Sequence, residues 1–438
     1  MSKRTFALQK LGTPPWSSEP RRNLLYRWLG APDGASAYLD FTQMPFLPDD
    51  LISYSRASNA TDFVPSGNIV TVGINTPRFD TNPLTLQPRG FLLEGARTNA
   101  HPHSNDFSSS MTLQRVTVTA ASATSPDGTN NATLLKEDGT AANTHSLDSA
   151  SISYTFGTSY TLSIFAKQGV GTRNIVLALS SVRFTTSQRV AFNPTTGEAT
   201  IVTGTPTTRS EQLSNGWWRF SITATATSTG TASFFVNLAD GTNITYNGDN
   251  TSGVLIYGVQ HEAGAFASSY IPTTGAAATR AADSALISLL SSFGYNNDQG
   301  TILVEFESMA EGASQYILSL GDGGSTNAIE LRRGIGSPIQ IVSAYNIGGT
   351  NQANGLVAQS LSALTIGKLG FAYQTNNFAY SLNGSSTSVD TSGNVTSVFT
   401  NMRLGASQTA GNQLFGWLRR VTYFPVRLSD AQIQALTA

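Results

Sequence analysis

No cysteine occurs among the 438 residues. Disulfides, thiolate catalysis and cysteine-ligated zinc are thereby excluded. Charge is scarce as well: Asp, Glu, Lys and Arg make up 12% of the chain, against about 25% in an average soluble domain. The 26 basic and 27 acidic residues nearly cancel, to a net charge of −1. That balance leaves no basic field for nucleic acid and no polybasic patch for a membrane surface. No apolar run approaches the ~20 residues of a membrane span, and Met1 to Trp16 has no apolar core of signal-peptide type. No repeat of short fixed period is visible, which speaks against a β-solenoid.

What fills the chain instead is Gly, Ser, Thr and Asn. Helical surfaces favour Lys and Glu, whereas strand surfaces favour Thr and β-branched residues. The composition therefore points to an all-β protein, and the local patterns agree. Ser151 to Phe156, Tyr160 to Ile164 and Trp218 to Thr225 alternate apolar with polar residues, one face inward and one outward. Asn193 to Glu198 sits between two such runs as a hairpin connection. Asn383-Gly384 is a type I′ turn signal after Phe378 to Leu382. Regular short strands with turn signals imply two-sheet sandwiches.

Two short helices are expected. Glu19 to Gly30 has Pro20 in its first turn, an apolar stripe of Leu24, Leu25, Trp28 and Leu29, and Gly30 at its stop. At the other end, Ser429-Asp430-Ala431-Gln432 reads as a capping box, with Ile433 and Leu436 facing inward on the helix that follows. The organisation expected is an N-terminal segment over 1–45, a small β connector over 46–99, a β-sandwich over 100–272, a small, polar, flexible linker over 273–285, and a further sandwich over 286–438.

Three strings carry a family resemblance. They are Tyr54-Ser55-Arg56-Ala57-Ser58-Asn59-Ala60-Thr61, then Asn75-Thr76-Pro77-Arg78-Phe79-Asp80, then Pro88-Arg89-Gly90-Phe91-Leu92-Leu93-Glu94-Gly95-Ala96-Arg97-Thr98-Asn99. This block resembles one found in tailed-bacteriophage fibre and head-spike proteins, where it precedes carbohydrate-binding-like sandwiches. Residues 100–272 resemble that jelly roll through Tyr160 to Lys167, Asn215 to Phe220, Val254 to Gly264 and Phe266 to Thr274, including the string Gly258, Gln260, Glu262, Gly264. The ending Phe415 to Ser429 resembles the last strand of laminin-G-like (concanavalin-type) jelly rolls.

The resemblance implies tandem jelly rolls with a small α+β N-terminal attachment segment. It implies a structural and adhesive virion component, a tail fibre, spike or head fibre, assembled in the host cytoplasm. Other virion proteins would be partners of the N-terminal segment, host surface polysaccharide the ligand of the sandwiches, and a homo-oligomer, most often a trimer, the working form. A virion scaffold that binds no glycan and a glycan depolymerase are the alternatives. No enzyme activity, nucleic acid, membrane insertion or cofactor is expected.

Candidate site residues follow from chemistry. Glu305 and Glu307 share one face of a strand, as the two carboxylates of a retaining glycosidase must, but Glu stands where the laminarinase-type pattern has Asp, and Glu311 lies one residue too far. The expectation is no catalytic residue. His101 and His103 lack a third ligand, so a loop pair is expected and no metal site. Asp127-Gly128-Thr129 and Asp322-Gly323-Gly324-Ser325 have the character of structural calcium loops, though such loops are usually turns. Alternation puts Trp218 inside with Phe220 and Ile222 and leaves Trp217 outside as a candidate sugar platform. Asp322 and Tyr345 are further candidate carbohydrate contacts. Arg89, Glu94 and Arg97 are expected to form a local ion-pair network at a structural junction, locked by Phe91, Leu92 and Leu93.

Overall fold

A computed structural model describes residues 31–43, 46–48, 51–309, 314–334, 341–357, 361–395 and 398–438. The helix expected over 19–30 lies outside the described residues, as does Glu311. The regular structure of the described residues is almost entirely antiparallel β, with an α-helical turn at Phe107–Ser110, a 3₁₀ turn at Leu290–Phe293 and a terminal helix Asp430–Thr437.

The sandwich in the middle of the chain has two six-stranded sheets. One runs Thr207–Gln212, Trp218–Thr225, Ser159–Val170, Gly253–Ala263, Ala132–Glu137, Val116–Ala123; the other runs Ala199–Thr203, Gln188–Phe192, Asn174–Leu179, Phe234–Ala239, His145–Ser149, Met111–Gln114. The alternation read from the sequence sets the register: Leu162 lies opposite Ile222, and Ile164 opposite Phe220. These side chains are fully buried in one apolar core with Leu177, Val190, Phe192 and Val236. Each contributes roughly 1.5–3 kcal/mol by leaving water. Asn193 to Glu198 is the hairpin connection expected, closed by the Gly197 N–H donating to the Asn193 carbonyl.

The second sandwich is not confined to 286–438. Its larger sheet contains Gln299–Ser308, Ile366–Gln374, Phe378–Leu382 and Gly416–Phe424, but also Pro88–Leu93, Arg78–Thr81 and Ala37–Asp40. Pro88–Leu93 and Ala37–Asp40 both pair with Gly416–Phe424, at different registers. The facing sheet starts with Ile52–Ser55, which pairs with Ser284–Ile287. Phe41, Phe91 and Leu93 sit in one core with Ile302, Phe306, Leu320 and Tyr380. The expectation of a separate connector over 46–99 is thus corrected: of its strands, the hairpin Ala60–Phe63 with Ile69–Val72 and the short strand Arg97–Asn99 stand outside this sandwich's sheets. The reason lies in the backbone. The strand Gly416–Phe424 needs a neighbour on its free side, and the N-terminal strands provide it. Gly90 permits the approach, at φ +127, where a Cβ would lie 2.4 Å from the Leu418 carbonyl oxygen.

The flexible linker expected over 273–285 is corrected too. Ala278–Arg280 pairs with Arg97–Asn99, and Arg280 and Asp283 are buried. At the C-terminus the capping box forms at Ser429 and Gln432. Ile433 faces inward, but Leu436 is exposed and Thr437 takes the inward place one turn on, its hydroxyl paired with Ser381. Asn383 and Gly384 both have positive φ, as the turn signal requires.

This weave sets a test with fragments. Residues 100–272 are expected to give a folded domain with dispersed amide NMR signals, whereas 286–438 alone, missing two neighbours of its central strand, is expected to stay unfolded or aggregate. A folded 286–438 fragment would contradict the shared-sheet description.

Candidate functional site

The residues of the three resembling strings converge between the sandwiches. Arg56, Arg78, Glu94, Arg280 and Asp283 are all buried there. Arg78 is the centre. Its Nη1 donates to Glu94 Oε2 at 2.7 Å and its Nη2 to Asp283 Oδ2 at 2.6 Å. Asp283 also accepts from the Glu94 backbone N–H, at 2.8 Å, from Arg56 and from the Tyr54 hydroxyl. Glu94 accepts from the backbone and hydroxyl of Ser269, which belongs to the loop closing the middle sandwich. Burial by itself would raise the Glu94 pKa; the Arg280 and Arg78 guanidinia and the Ser269 hydrogen bonds outweigh it and hold it at about 2. Arg280 approaches Glu94 at 3.5 Å without a hydrogen bond.

The junction expected from Arg89, Glu94 and Arg97 is therefore present, but these three residues form separate neighbouring pairs. Arg89 makes a bidentate ion pair with Glu307, reaches Glu211 at 3.5 Å, and lies 3.5 Å over the Trp417 ring. Arg97 approaches Glu262 at 3.6 Å and stacks on Phe415. Phe91, Leu92 and Leu93 are fully buried, as expected. Asn99 ends the block by bonding four backbone groups: the carbonyls of Val259 and Ile271 and the N–H groups of His101 and His261. The string Gly258 to Gly264 is equally structural. Gln260 accepts from the Ile271 N–H at 2.7 Å and donates to Glu262, which accepts from the backbone and hydroxyl of Ser268.

A cavity of about 40 Å³ lies in this junction, bordered by Asp62, Asp80, Arg89, Glu211, Arg219 and Trp417. It has room for a water or two and none for a pyranose. Burial and the adjacent Asp80 charge push the Asp62 pKa well up. Burial raises the Asp80 pKa too, against the lowering effect of the Phe63 and Thr81 N–H groups and the Trp417 indole, which donate to it. No sequence signal separated this pair from ordinary strand carboxylates; Asp62 and Asp80 meet only because the hairpin folds over the second sandwich's edge.

Trp217 is not a sugar platform. The outer face of its sheet is covered by the hairpin rather than by water, so Trp217 is 1% exposed, packed with Ile69, Phe165, Tyr257 and Tyr270, its indole donating to the Thr124 carbonyl. Trp218 faces the core with Phe220, as expected. Tyr345 is no sugar contact either: it is fully buried among Tyr373, Phe378 and Phe399, because its inward-facing strand position belongs to the apolar core. Asp322 is exposed, but its carboxylate turns back on its own loop, accepting from Gly324 and Asn327. Asp127 does the same with Ser125 and Thr129 and also accepts from Tyr257. Glu305 is held by Arg419 and Arg420, each at 2.8 Å, as Glu307 is held by Arg89. His101 is buried against Ser110, its pKa lowered to about 4 by burial and by His103. Among the described residues no cluster of three His, Asp or Glu is placed to hold a metal.

No family model and no curated protein matches the chain. Among solved structures, it is similar to the carbohydrate-binding module CBM40 of the Ruminococcus gnavus IT-sialidase bound to α2,3-sialyllactose, at 18% identity over 32% of this chain and 83% of that one, TM-score 0.28. It is similar to the NanB sialidase of Streptococcus pneumoniae, at 16% identity over 34% of this chain and 25% of that one, TM-score 0.28. The SAP-like pentraxin of Limulus polyphemus is a further likeness, at 11% identity over 32% and 70%, TM-score 0.23.

Two outcomes follow from the junction. Arg78→Met strands two buried carboxylates and is expected to cost about 3–5 kcal/mol in denaturant unfolding, whereas Arg280→Met, which breaks no hydrogen bond, is expected to cost far less; equal losses would contradict the geometry. The Asp62 pKa is raised in the folded state, so above the ordinary carboxylate range the native chain holds a proton that the unfolded chain has lost. Stability is therefore expected to fall as pH rises through the Asp62 pKa. Melting temperatures from pH 5 to 9 should show that decline flattened in Asp62→Asn; an unchanged slope would contradict it.

Proposed function

We propose that the protein is a structural and adhesive component of a tailed-phage virion, a fibre or spike that binds host surface glycan without cleaving it. The observation that carries this reading is the fate of the charged residues in the resembling block. Arg56, Arg78, Asp80 and Glu94 are spent in buried pairs at the edge of the second sandwich, and that cluster is tied to the middle one through Ser269 on Arg78 and Glu94 and through Arg97 beside Glu262. Their role is mechanical, as an appendage that must transmit force from a mounting to a cell surface requires. The carboxylates that could have marked a depolymerase, Glu305 and Glu307, are each neutralised by arginine. A retaining glycosidase needs one of its two carboxyls free as nucleophile and the other as proton donor, and arginine-paired carboxylates suit neither role.

Attachment through residues 1–45 and assembly as a trimer belong to this proposal. A trimer multiplies weak single-site contacts: linked copies raise avidity by orders of magnitude over one site when geometry permits simultaneous engagement. The low surface charge supports close lateral packing of copies, because it carries little repulsion.

The test is retention of the fluorescently labelled full chain on a panel of bacterial cells, with reducing ends measured in the supernatant. Retention on at least one strain without release above the blank is expected. Sustained release of reducing ends would overturn the non-enzymatic reading, and retention on no strain would overturn adhesion.

A further inference from the structure

We infer that the middle sandwich carries a binding groove for a neutral glycan chain at the rim of one sheet, where its edge strand Thr207–Gln212 begins, an assignment that rests on the adhesive reading above and names its site and ligand class. The groove encloses about 670 Å³, within the usual range of small-ligand sites. One wall comes from Thr207–Gln212 and Trp218–Thr225, the other from the loop before Gln188–Phe192 and the turn that follows Ala199–Thr203.

Its chemistry is uniform. Thr186, Gln188, Thr205, Thr207, Thr223 and Thr225 line it, and no charged side chain does. Thr207 lies opposite Thr223 on the neighbouring strand, and Thr225 follows two residues on, opposite Ser159. Strand spacing of about 4.8 Å and a two-residue advance of about 6.8 Å make these positions a small lattice of hydroxyls on one face. The lattice is held in place: Ser159 pairs with Thr225 at 2.9 Å, and Thr223 with Thr161 at 2.7 Å. Each hydroxyl both donates and accepts, which matches a ligand whose own groups are hydroxyls. Ala265 and Phe184 supply the apolar contribution.

The opposite wall is built around one buried polar side chain. Gln188 is 7% exposed, donates to the Thr186 carbonyl at 2.8 Å and accepts from the Thr205 N–H at 3.0 Å. It ties the two lining segments together. Gly204 makes this possible, since a Cβ there would lie 2.3 Å from the Gln188 amide oxygen, and its φ of +78 suits glycine. This wall is thus preorganised, which lowers the ordering cost of binding.

The absence of charge decides the ligand class. An acidic sugar would bring a carboxylate into a groove with no cation to meet it, and an unpaired charge out of water is costly. Arg183, next to Phe184 in the chain, is turned away and spends its guanidinium on the carbonyls of Thr231 and Thr229 and the hydroxyl of Ser228. Neutral hexose and N-acetylhexosamine chains bring no such charge.

The experiment uses the full chain on an immobilised panel of neutral hexose and N-acetylhexosamine oligosaccharides, alongside sialylated and uronate-containing ones. Retention on neutral members is expected. The double variant Thr186→Trp with Thr207→Trp, at exposed positions on opposite walls, is expected to lose at least tenfold in apparent affinity with an unchanged melting temperature. Thr365→Trp, on the other sandwich, is expected to bind like the parent. Binding that survives the double variant would place the site elsewhere, and preference for acidic members would overturn the ligand class; both leave adhesion standing. A blank panel overturns the groove assignment, while the cell-retention assay decides adhesion separately.

Discussion

The structure depends on Arg78 holding two carboxylates, Glu94 and Asp283, where no water reaches them. Glu94 comes at the end of an N-terminal strand of the second sandwich, Asp283 from the chain re-entering that sandwich, and Ser269, which bonds Glu94, from the last loop of the middle one. Three distant parts of the sequence therefore meet at one guanidinium. Bringing these ions out of water is costly, and the arrangement is favourable because Glu94 and Asp283 each accept several hydrogen bonds and face a guanidinium. Such a joint stabilises one geometry and penalises all others, so its main product is a fixed relation between the sandwiches.

The same constraint explains why the chain weaves as it does. If residues 46–99 were an independent unit, the edge of Gly416–Phe424 would be exposed and the charged joint would border water. By adding strands to the second sandwich and sending one hairpin across to cover Trp217 and Tyr257 of the middle one, the N-terminal part closes both gaps. For an appendage of the kind proposed, this rigidity makes two sandwiches one lever, and the hydroxyl-rich rim of the middle sandwich takes no part in the joint.

Much of this was legible in the sequence. The strands, the hairpin at Asn193 to Glu198, the turn at Asn383 and the capping box at Ser429 are local features, and local chemistry determined them. The importance of Arg89, Glu94 and Arg97 was legible from their setting in the block, but not their ion-pair partners, which lie up to 218 residues away. Trp217 was misplaced because alternation assigns a face, not what covers it; the hairpin that buries it comes from 150 residues earlier. Tyr345 failed because its strand position faces the apolar core itself, and the supposed linker failed because small residues pack in a tight joint as readily as they flex in a loose one. The threonine groove gave no signal, since threonine is ordinary on any strand surface.

The buried joint makes the two sandwiches a single cooperative unit. Differential scanning calorimetry of the full chain tests it most directly. One transition whose calorimetric and van't Hoff enthalpies agree is the result this account requires. Two resolved transitions in the unmodified protein, one for each sandwich, would contradict it.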